Sequence, residues 1–182
     1  KKQKPLPPIS DEEKPFELPE GWEWIRLGNI GEVKGGGTPS KNNPDFWKGN
    51  IPWVSPKDMK VNYISKSQLN ISKEAVLESS VHLIPENSLI FVVRGMILAH
   101  TFPVAITKKE VTINQDMKAI STNQLNTDFL IYLLKANETR VICLVDRSSH
   151  GTCKLVSDKL FNLVLPLPPL EEQFRITERI NM

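Results

Sequence analysis

Apolar residues in this chain come mostly in short runs that stop at polar, glycine or proline breaks. The strongest run, Ser88-Leu89-Ile90-Phe91-Val92-Val93, is continuous and predicts a central strand, because alternation disappears where both faces of a strand are covered. Trp22-Glu23-Trp24-Ile25-Arg26-Leu27 predicts a short strand with the tryptophans on one side and Ile25 and Leu27 on the other, and Leu27 to Val33 one helical turn ending at a glycine. Ile51-Pro52-Trp53-Val54-Ser55 predicts a short buried strand. Thr101 to Ile106 predicts the strand after the central one, and Val111 to Ile120 a further strand or pair. Helical spacing is rarer. Ser72 caps a short helix through Glu78. Asn126-Thr127-Asp128 caps one running from Phe129 to about Val145, apolar nearly all round and therefore buried. Ser157-Asp158 caps a last short one.

The C-terminal stretch reads in two halves. Val164, Leu165 and Leu167 with interleaved prolines predict an edge strand or extended exit, since proline cannot donate to a ladder. Pro169 suits the first turn of a helix, where its missing N–H costs little, and Glu171 and Glu172 follow where the helix dipole favours acids. Leu170, Phe174, Thr177 and Ile180 then recur at helical spacing, so one face is apolar. The sequence begins with Lys1 and stops at Met182 within this helix. It is expected to be a piece of a longer chain, and the stripe to face a partner outside it.

Composition narrows the classes. A chain of 182 residues, 40% of them hydrophobic, can form one domain, or one domain and an appendage, around a real core. With 23 basic and 21 acidic residues it is no polycation, so any nucleic-acid binding must come from a local basic surface. No apolar run approaches the ~20 residues that cross a bilayer, and Lys1-Lys2-Gln3-Lys4 leads into prolines rather than a signal-peptide core. No membrane partner is expected, and the location is expected to be cytoplasmic. Cys143 and Cys153 lack metal-ligand spacing and are expected to be reduced thiols; neither metal nor cofactor is expected. Residues 1–17, rich in Lys, Pro and Glu, predict an extended solvated linker.

Candidate chemistry lies in the breaks. Lys34-Gly35-Gly36-Gly37-Thr38-Pro39-Ser40-Lys41 is either a loop whose N–H groups, with Lys34, Thr38, Ser40 and Lys41, meet phosphate, or a plain flexible turn; it lacks the Gly-Lys-Ser/Thr ending of a P-loop. Lys57 is a candidate phosphate contact or a solvated lysine. Polar groups also gather where apolar strands stop: Arg94, His100, Asn114 and Gln115. Arginine can read guanine and Asn or Gln adenine, although Asn114 and Gln115 could equally cap a strand end and His100 be structural. Asp146-Arg147-Ser148-Ser149-His150-Gly151-Thr152-Cys153-Lys154 is a polar, basic loop suited to phosphate and base-edge contact. Ser148 and His150 make a poor nucleophile and base, being two apart in a loop with no orienting acid. Asn43-Pro44-Asp45-Phe46 compares with the Asn/Asp-Pro-Pro-Phe/Tyr motif of amino-group DNA methyltransferases. However, Asp45 replaces the second proline and no strand followed by Gly-x-Gly supplies a cofactor site. Trp47 and Trp53 read as core or hinge anchors.

Five ordered motifs carry a family resemblance: Leu18-Pro19-Glu20-Gly21-Trp22 with Arg26-Leu27-Gly28; Gly37-Thr38-Pro39-Ser40; Trp47-x-Gly49-x-Ile51-Pro52-Trp53; Ser148-Ser149-x-Gly151-Thr152; and Pro166-Leu167-Pro168-Pro169-Leu170-x-Glu172-Gln173-x-x-Ile176. Over residues 18–182 the chain is similar to the specificity (S) subunit of type I restriction-modification systems. The resemblance implies a non-catalytic target recognition domain that reads one half of a split site in double-stranded DNA. It also implies a second recognition domain elsewhere in a full subunit, and long helices pairing as a coiled coil. Modification (methyltransferase) subunits would dock there, with restriction subunits joining through them. The DNA contacts would be Lys34, Thr38, Ser40, Lys41, Lys57, Arg94, His100, Asn114, Gln115, Arg147, Ser148, Ser149, His150, Thr152 and Lys154, and the helix-pairing residues Leu170, Phe174, Thr177 and Ile180. The expected fold is α+β, a mixed, strongly twisted β-sheet or partial barrel with short helices, followed by the start of a long coiled-coil helix. Residues 1–17 would form the linker, 18–168 the recognition domain and 169–182 the helix start. A DNA adenine methyltransferase fragment and a protein-interaction scaffold are the competing readings.

Overall fold

In the computed structural model, which describes residues 6–147 and 151–182, the apolar run at 88–93 becomes the middle strand of a five-stranded sheet. The first half of the chain forms β1 (Glu23–Arg26), β2 (Glu32–Gly35), β3 (Ile51–Val54), β4 (Tyr63–Ile64), β5 (Leu69–Ile71) and helix α1 (Lys73–Glu78). Strands β6 (Leu89–Val92), β7 (Val104–Thr107), β8 (Thr112–Ile113) and β9 (Met117–Ser121) follow, then helices α2 (Thr127–Ala136) and α3 (Glu138–Ile142). The chain ends through β10 (Val145–Arg147), β11 (Cys153–Leu155), α4 (Ser157–Phe161), β12 (Val164–Leu167) and α5 (Leu170–Asn181).

The large sheet has the order β2-β9-β6-β7-β4, and a three-stranded sheet the order β5-β3-β8. Both are mixed, because β4 runs parallel to β7 and β3 parallel to β8 while their other neighbours are antiparallel. Every residue of β6 is fully buried, and each such aliphatic or aromatic side chain contributes about 1.5–3 kcal/mol. Phe129, Leu130, Ile131 and Leu134 of α2 join the same core, while Phe46, Trp53, Ile71, Ala75 and Val81 form a satellite cluster. The fold is mixed α+β. Among the described residues the sheets stay separate and do not close into a barrel: β8 and β9 adjoin in sequence but belong to different sheets.

The long helix expected from Phe129 to about Val145 is broken. Asn137 ends α2, its amide donating back to the Leu133 carbonyl at 2.9 Å while its Oδ1 accepts from Arg140 at 2.8 Å. Side-chain bonds of this kind offer the backbone an alternative to the helical ladder, and the last expected helical residue, Val145, opens a strand instead.

The base of the domain is where the chain enters and leaves. Strand β1 pairs antiparallel with β12, Trp24 opposite Pro166. Arg26, 3% exposed, closes this junction. All five of its N–H donors are used: on the Pro7 carbonyl at 2.7 Å, the Pro8 carbonyl at 3.0 Å, the Asn162 carbonyl at 2.8 Å and both oxygens of Glu13 at 2.9 Å. Residues 6–17 remain mostly exposed, as a linker should, but this guanidinium ties them to the body. It also holds the Glu13 carboxyl well below its ordinary 4.5, at about 2.

Helix α5 docks on α2 through polar groups. The Gln173 side-chain Oε1 accepts the Asn126 N–H at 3.0 Å and its Nε2 donates to the Pro168 carbonyl at 2.9 Å, while the Trp22 indole donates to Glu172 at 3.1 Å. Gln173 and Thr177 are buried, whereas Leu170, Phe174 and Ile180 are exposed. Thr177 therefore does not belong to the outward stripe predicted for it. It faces Asn126, and its hydroxyl donates to the Phe174 carbonyl at 2.8 Å.

Two outcomes test this base. Arg26→Met is expected to lower stability by about 3 kcal/mol in urea denaturation. That is the lower end for breaking a buried ion pair, because Glu13 is 41% exposed and can turn to water. A depressed carboxyl stabilises above its unfolded value and stops doing so as pH falls through its folded one. Docking of residues 6–17, followed by hydrogen exchange, should therefore weaken from about pH 4.5 toward pH 2, and in Glu13→Gln it should be weak and flat across that window. Gln173→Ala strands a buried N–H and a carbonyl, so it is expected to cost about 2 kcal/mol and to raise α5 amide exchange ahead of β6.

Candidate nucleic-acid interface

At the end of the large sheet away from Arg26, several strands stop together. Gly35 of β2 lies opposite Lys118, Val92 of β6 opposite Met117, and Phe91 opposite Val104. The segments 36–41, 93–103 and 114–116 therefore leave from one edge. Strand β3 runs parallel to β8, with Val54 beside Ile113, and its carbonyl accepts the Asn114 N–H at 2.9 Å, which brings 55–58 to the same edge.

The glycine loop is neither an open phosphate cradle nor a flexible turn. The Gly36 N–H donates to the Met117 carbonyl at 3.2 Å and the Gly37 N–H to the Ile113 carbonyl at 2.9 Å, so those two donors are not available to phosphate. A Cβ on Gly36 would lie 1.8 Å from the Asn114 carbonyl oxygen. Glycine is needed there for close backbone approach rather than for anion binding. The indole of Trp53, 7% exposed, donates to the Gly37 carbonyl at 2.9 Å, and Trp47 packs edge-on against it with centroids 5.1 Å apart.

Beside this loop opens a cleft of about 590 Å³ that gathers Thr38, Lys41, Lys57, Asn114 and Gln115. Trp47 and Trp53 wall it, and Asp58 and Asp116 add carboxylates. The Thr38 hydroxyl donates to the Gln115 side-chain Oε1, fixing one side. Lys41, Lys57 and Gln115 are exposed. Asn114 is not a free base reader: it is 6% exposed and its Oδ1 accepts the Asp116 N–H at 3.0 Å, shaping the 114–116 turn. Ser40 is held by the turn that follows it, accepting the Asn42 N–H at 3.3 Å on its hydroxyl and the Trp47 indole at 3.2 Å on its carbonyl. Lys34 stays on β2, with Glu32 at 3.9 Å.

A second group adjoins the cleft through Asp116. Its carboxylate lies 3.8 Å from the Arg94 guanidinium, and its carbonyl accepts the Arg94 N–H at 3.2 Å. Arg94 bridges to Lys154, and across β10–β11 Arg147 lies opposite Cys153. Arg147 donates to the Ala99 carbonyl at 3.2 Å, next to exposed His100. Arg94, Arg147, Lys154 and Thr152 are exposed. The Thr101 hydroxyl at 2.6 Å and the Phe102 N–H at 2.7 Å hold the Glu138 carboxyl below its ordinary range and pin this segment to α3. Ser148, Ser149 and His150 lie outside the described residues. Gln68 and Leu69, which also line the cleft, and Asp116 were not foreseen; Asp116 could have been, since it follows Asn114 and Gln115 directly, but the polar stretch around Gln68 carries no signal.

Gly36→Ala is expected to lower stability by about 3 kcal/mol, the upper end for overpacking against rigid atoms. Gly35→Ala, whose Cβ would meet nothing within 4 Å, should change it by less than about 1 kcal/mol. Paired urea midpoints decide the point.

Comparison with known proteins bears on what such an edge is for. Residues 19–181 match the family described as the type I restriction modification DNA specificity domain. The chain is 40% identical over 158 residues to the type I restriction enzyme EcoR124I/EcoR124II specificity subunit of Escherichia coli, covering 86% of this chain and 39% of that one. It is 34% identical over 164 residues to the MjaIX specificity subunit of Methanocaldococcus jannaschii, covering 87% and 37%. The chain thus spans about two fifths of the curated relatives it matches. Among solved structures, the HsdS subunit from Thermoanaerobacter tengcongensis superposes with a TM-score of 0.69 at 21% identity over 92% of this chain and 38% of that one. A structure reported for complex assembly and conformational transition of the type I R-M system gives 0.71 at 22% identity over 92% and 39%. These two likenesses concern the fold.

Proposed function

We propose, from the premise that this chain belongs to the type I restriction modification DNA specificity domain family, that it is a non-catalytic module recognising one half of a bipartite target in double-stranded DNA. The observation that carries the reading is the gathering, at one sheet edge, of Lys41, Lys57 and Gln115 around the cleft and of Arg94, Arg147 and Lys154 beside it. The lysines and Arg147 grip phosphates and set register, while Arg94 and Gln115 reach base edges in the major groove. Residues 18–168 form the reader and 169–182 the start of a spacer helix. Leu170, Phe174 and Ile180 pair with a second long helix, a second recognition domain reads the other half-site, and modification and then restriction subunits assemble on this scaffold in the cytoplasm.

A formal charge of +2 makes binding depend on a few local contacts, so one half-site reader alone should bind weakly. In the full-length protein, Lys41→Ala or Lys57→Ala is expected to flatten the dependence of log affinity on log salt by about 0.9 each, with no change in preferred sequence. Arg94→Ala is expected instead to relax one position of the preferred sequence by about 1–3 kcal/mol. Selection from a random duplex pool at several salt concentrations reads both. Variants that all select and bind as the parent does would sink the assignment.

A further inference from the structure

Between β6 and β7 the chain turns outward through Gly95, at φ +132, into a single turn of 3₁₀ helix, Met96–Ala99. Met96 is 62% exposed and Ile97 43%, while Leu98 beside them is fully buried. The turn is fixed at both ends and in the middle. The Gly95 N–H donates to the Cys153 carbonyl at 3.0 Å and the Leu98 N–H to the Gly95 carbonyl at 3.2 Å. Arg147 donates to the Ala99 carbonyl, and Glu138 holds Thr101 and Phe102. Two large apolar side chains are thus held in water on a rigid support, an arrangement that favours any contact covering them.

What covers them is indicated by charge. Arg94 precedes the turn, Lys154 bridges to Arg94, and Arg147 binds its last residue. Arg94 is paired only at 3.8 Å, with Asp116, so an apolar protein surface laid over Met96 and Ile97 would strip water from these cations with little to compensate them, whereas a polyanion satisfies them while covering the turn. Among polyanions, a duplex offers an apolar group on its groove floor, the C5-methyl of thymine. Resting on the DNA-reading function above, we propose that Met96 and Ile97 are specificity residues that pack on a thymine methyl in the major groove. Ile97 keeps more than half of its surface against the body, so the pair forms a low ridge rather than a wedge of the kind that unstacks base steps.

The test uses the full-length protein with the subunits it assembles with, and two random duplex pools, one with thymine and one with deoxyuridine, which lacks only the methyl. The parent is expected to select a motif containing a thymine whose replacement by deoxyuridine weakens binding about fourfold, the factor for one buried methyl group. Met96→Ala with Ile97→Ala is expected to bind both versions of that site equally and to lose preference at that position alone. Thermal melting should fall only slightly, since Met96 is mostly exposed and Ile97 gives up only a half-buried contact; Met96→Ala alone gives the same comparison if the double variant melts early. Retained discrimination in the variants, or no thymine position sensitive to deoxyuridine in the parent, overturns the proposal while leaving DNA reading intact. Failure of the parent to bind either pool overturns the DNA-reading function and this inference together.

Discussion

A full positive charge at 3% exposure is tolerable only when every donor around it is answered, and Arg26 meets that condition with five hydrogen bonds from two directions. One direction is the entering segment, through the Pro7 and Pro8 carbonyls and Glu13. Another is the turn before β12, through Asn162. Arg26 itself lies on β1, so these bonds join both segments to that strand. A two-stranded ribbon of four residues a side is at best marginal alone, so the β1–β12 pair depends on this closure and on Leu165 and Leu167 reaching the core. The described entering segment and the exit strand β12 thus lie side by side at the base.

The opposite end of the large sheet is built from segments whose backbone is already committed. Gly36 and Gly37 lie along 113–117, Asn114 folds over Asp116, and the 94–101 segment is fixed by Cys153, Arg147 and Glu138. Reading a base edge requires a donor or acceptor held to a fraction of an ångström, and loops bonded to strand ends give that fixity where free loops do not. Asp116, which pairs with Arg94 and lines the cleft, tempers the local positive field. Near-neutral charge and a few directed cations favour discrimination over indiscriminate grip.

The elements that periodicity makes legible are those whose burial comes from one environment. The run at 88–93 sits between two strands and under a helix, so apolarity alone marks it. The break at Asn137 was illegible because it depends on a side chain choosing the helix's own carbonyl. The glycine loop was legible as special but not in its reason: a Cβ would strike a carbonyl contributed from residue 114, a contact seventy-eight positions away in the chain. The candidate DNA residues were legible as polar groups at strand ends. Which of them share one cleft follows from β3 running parallel to β8, and no local pattern specifies that pairing.

Helix α5 shows where amphipathic reading stops short at a junction. The stripe Leu170, Phe174, Thr177, Ile180 is predicted to face a partner outside the chain; Leu170, Phe174 and Ile180 are exposed, whereas Thr177 turns inward beside buried Gln173. A purely apolar dock would leave the helix free to rotate or slide, because dispersion contacts have little direction. The Gln173 bonds to Asn126 and Pro168, with the Trp22 bond to Glu172, fix both register and azimuth. Those bonds all lie in the first turn of the helix, where they set its direction relative to the body. A helix aimed by a polar dock and apolar on its outer side carries the orientation of the sheet edge along its own axis, which is the coupling that the proposed spacer between two DNA readers would require.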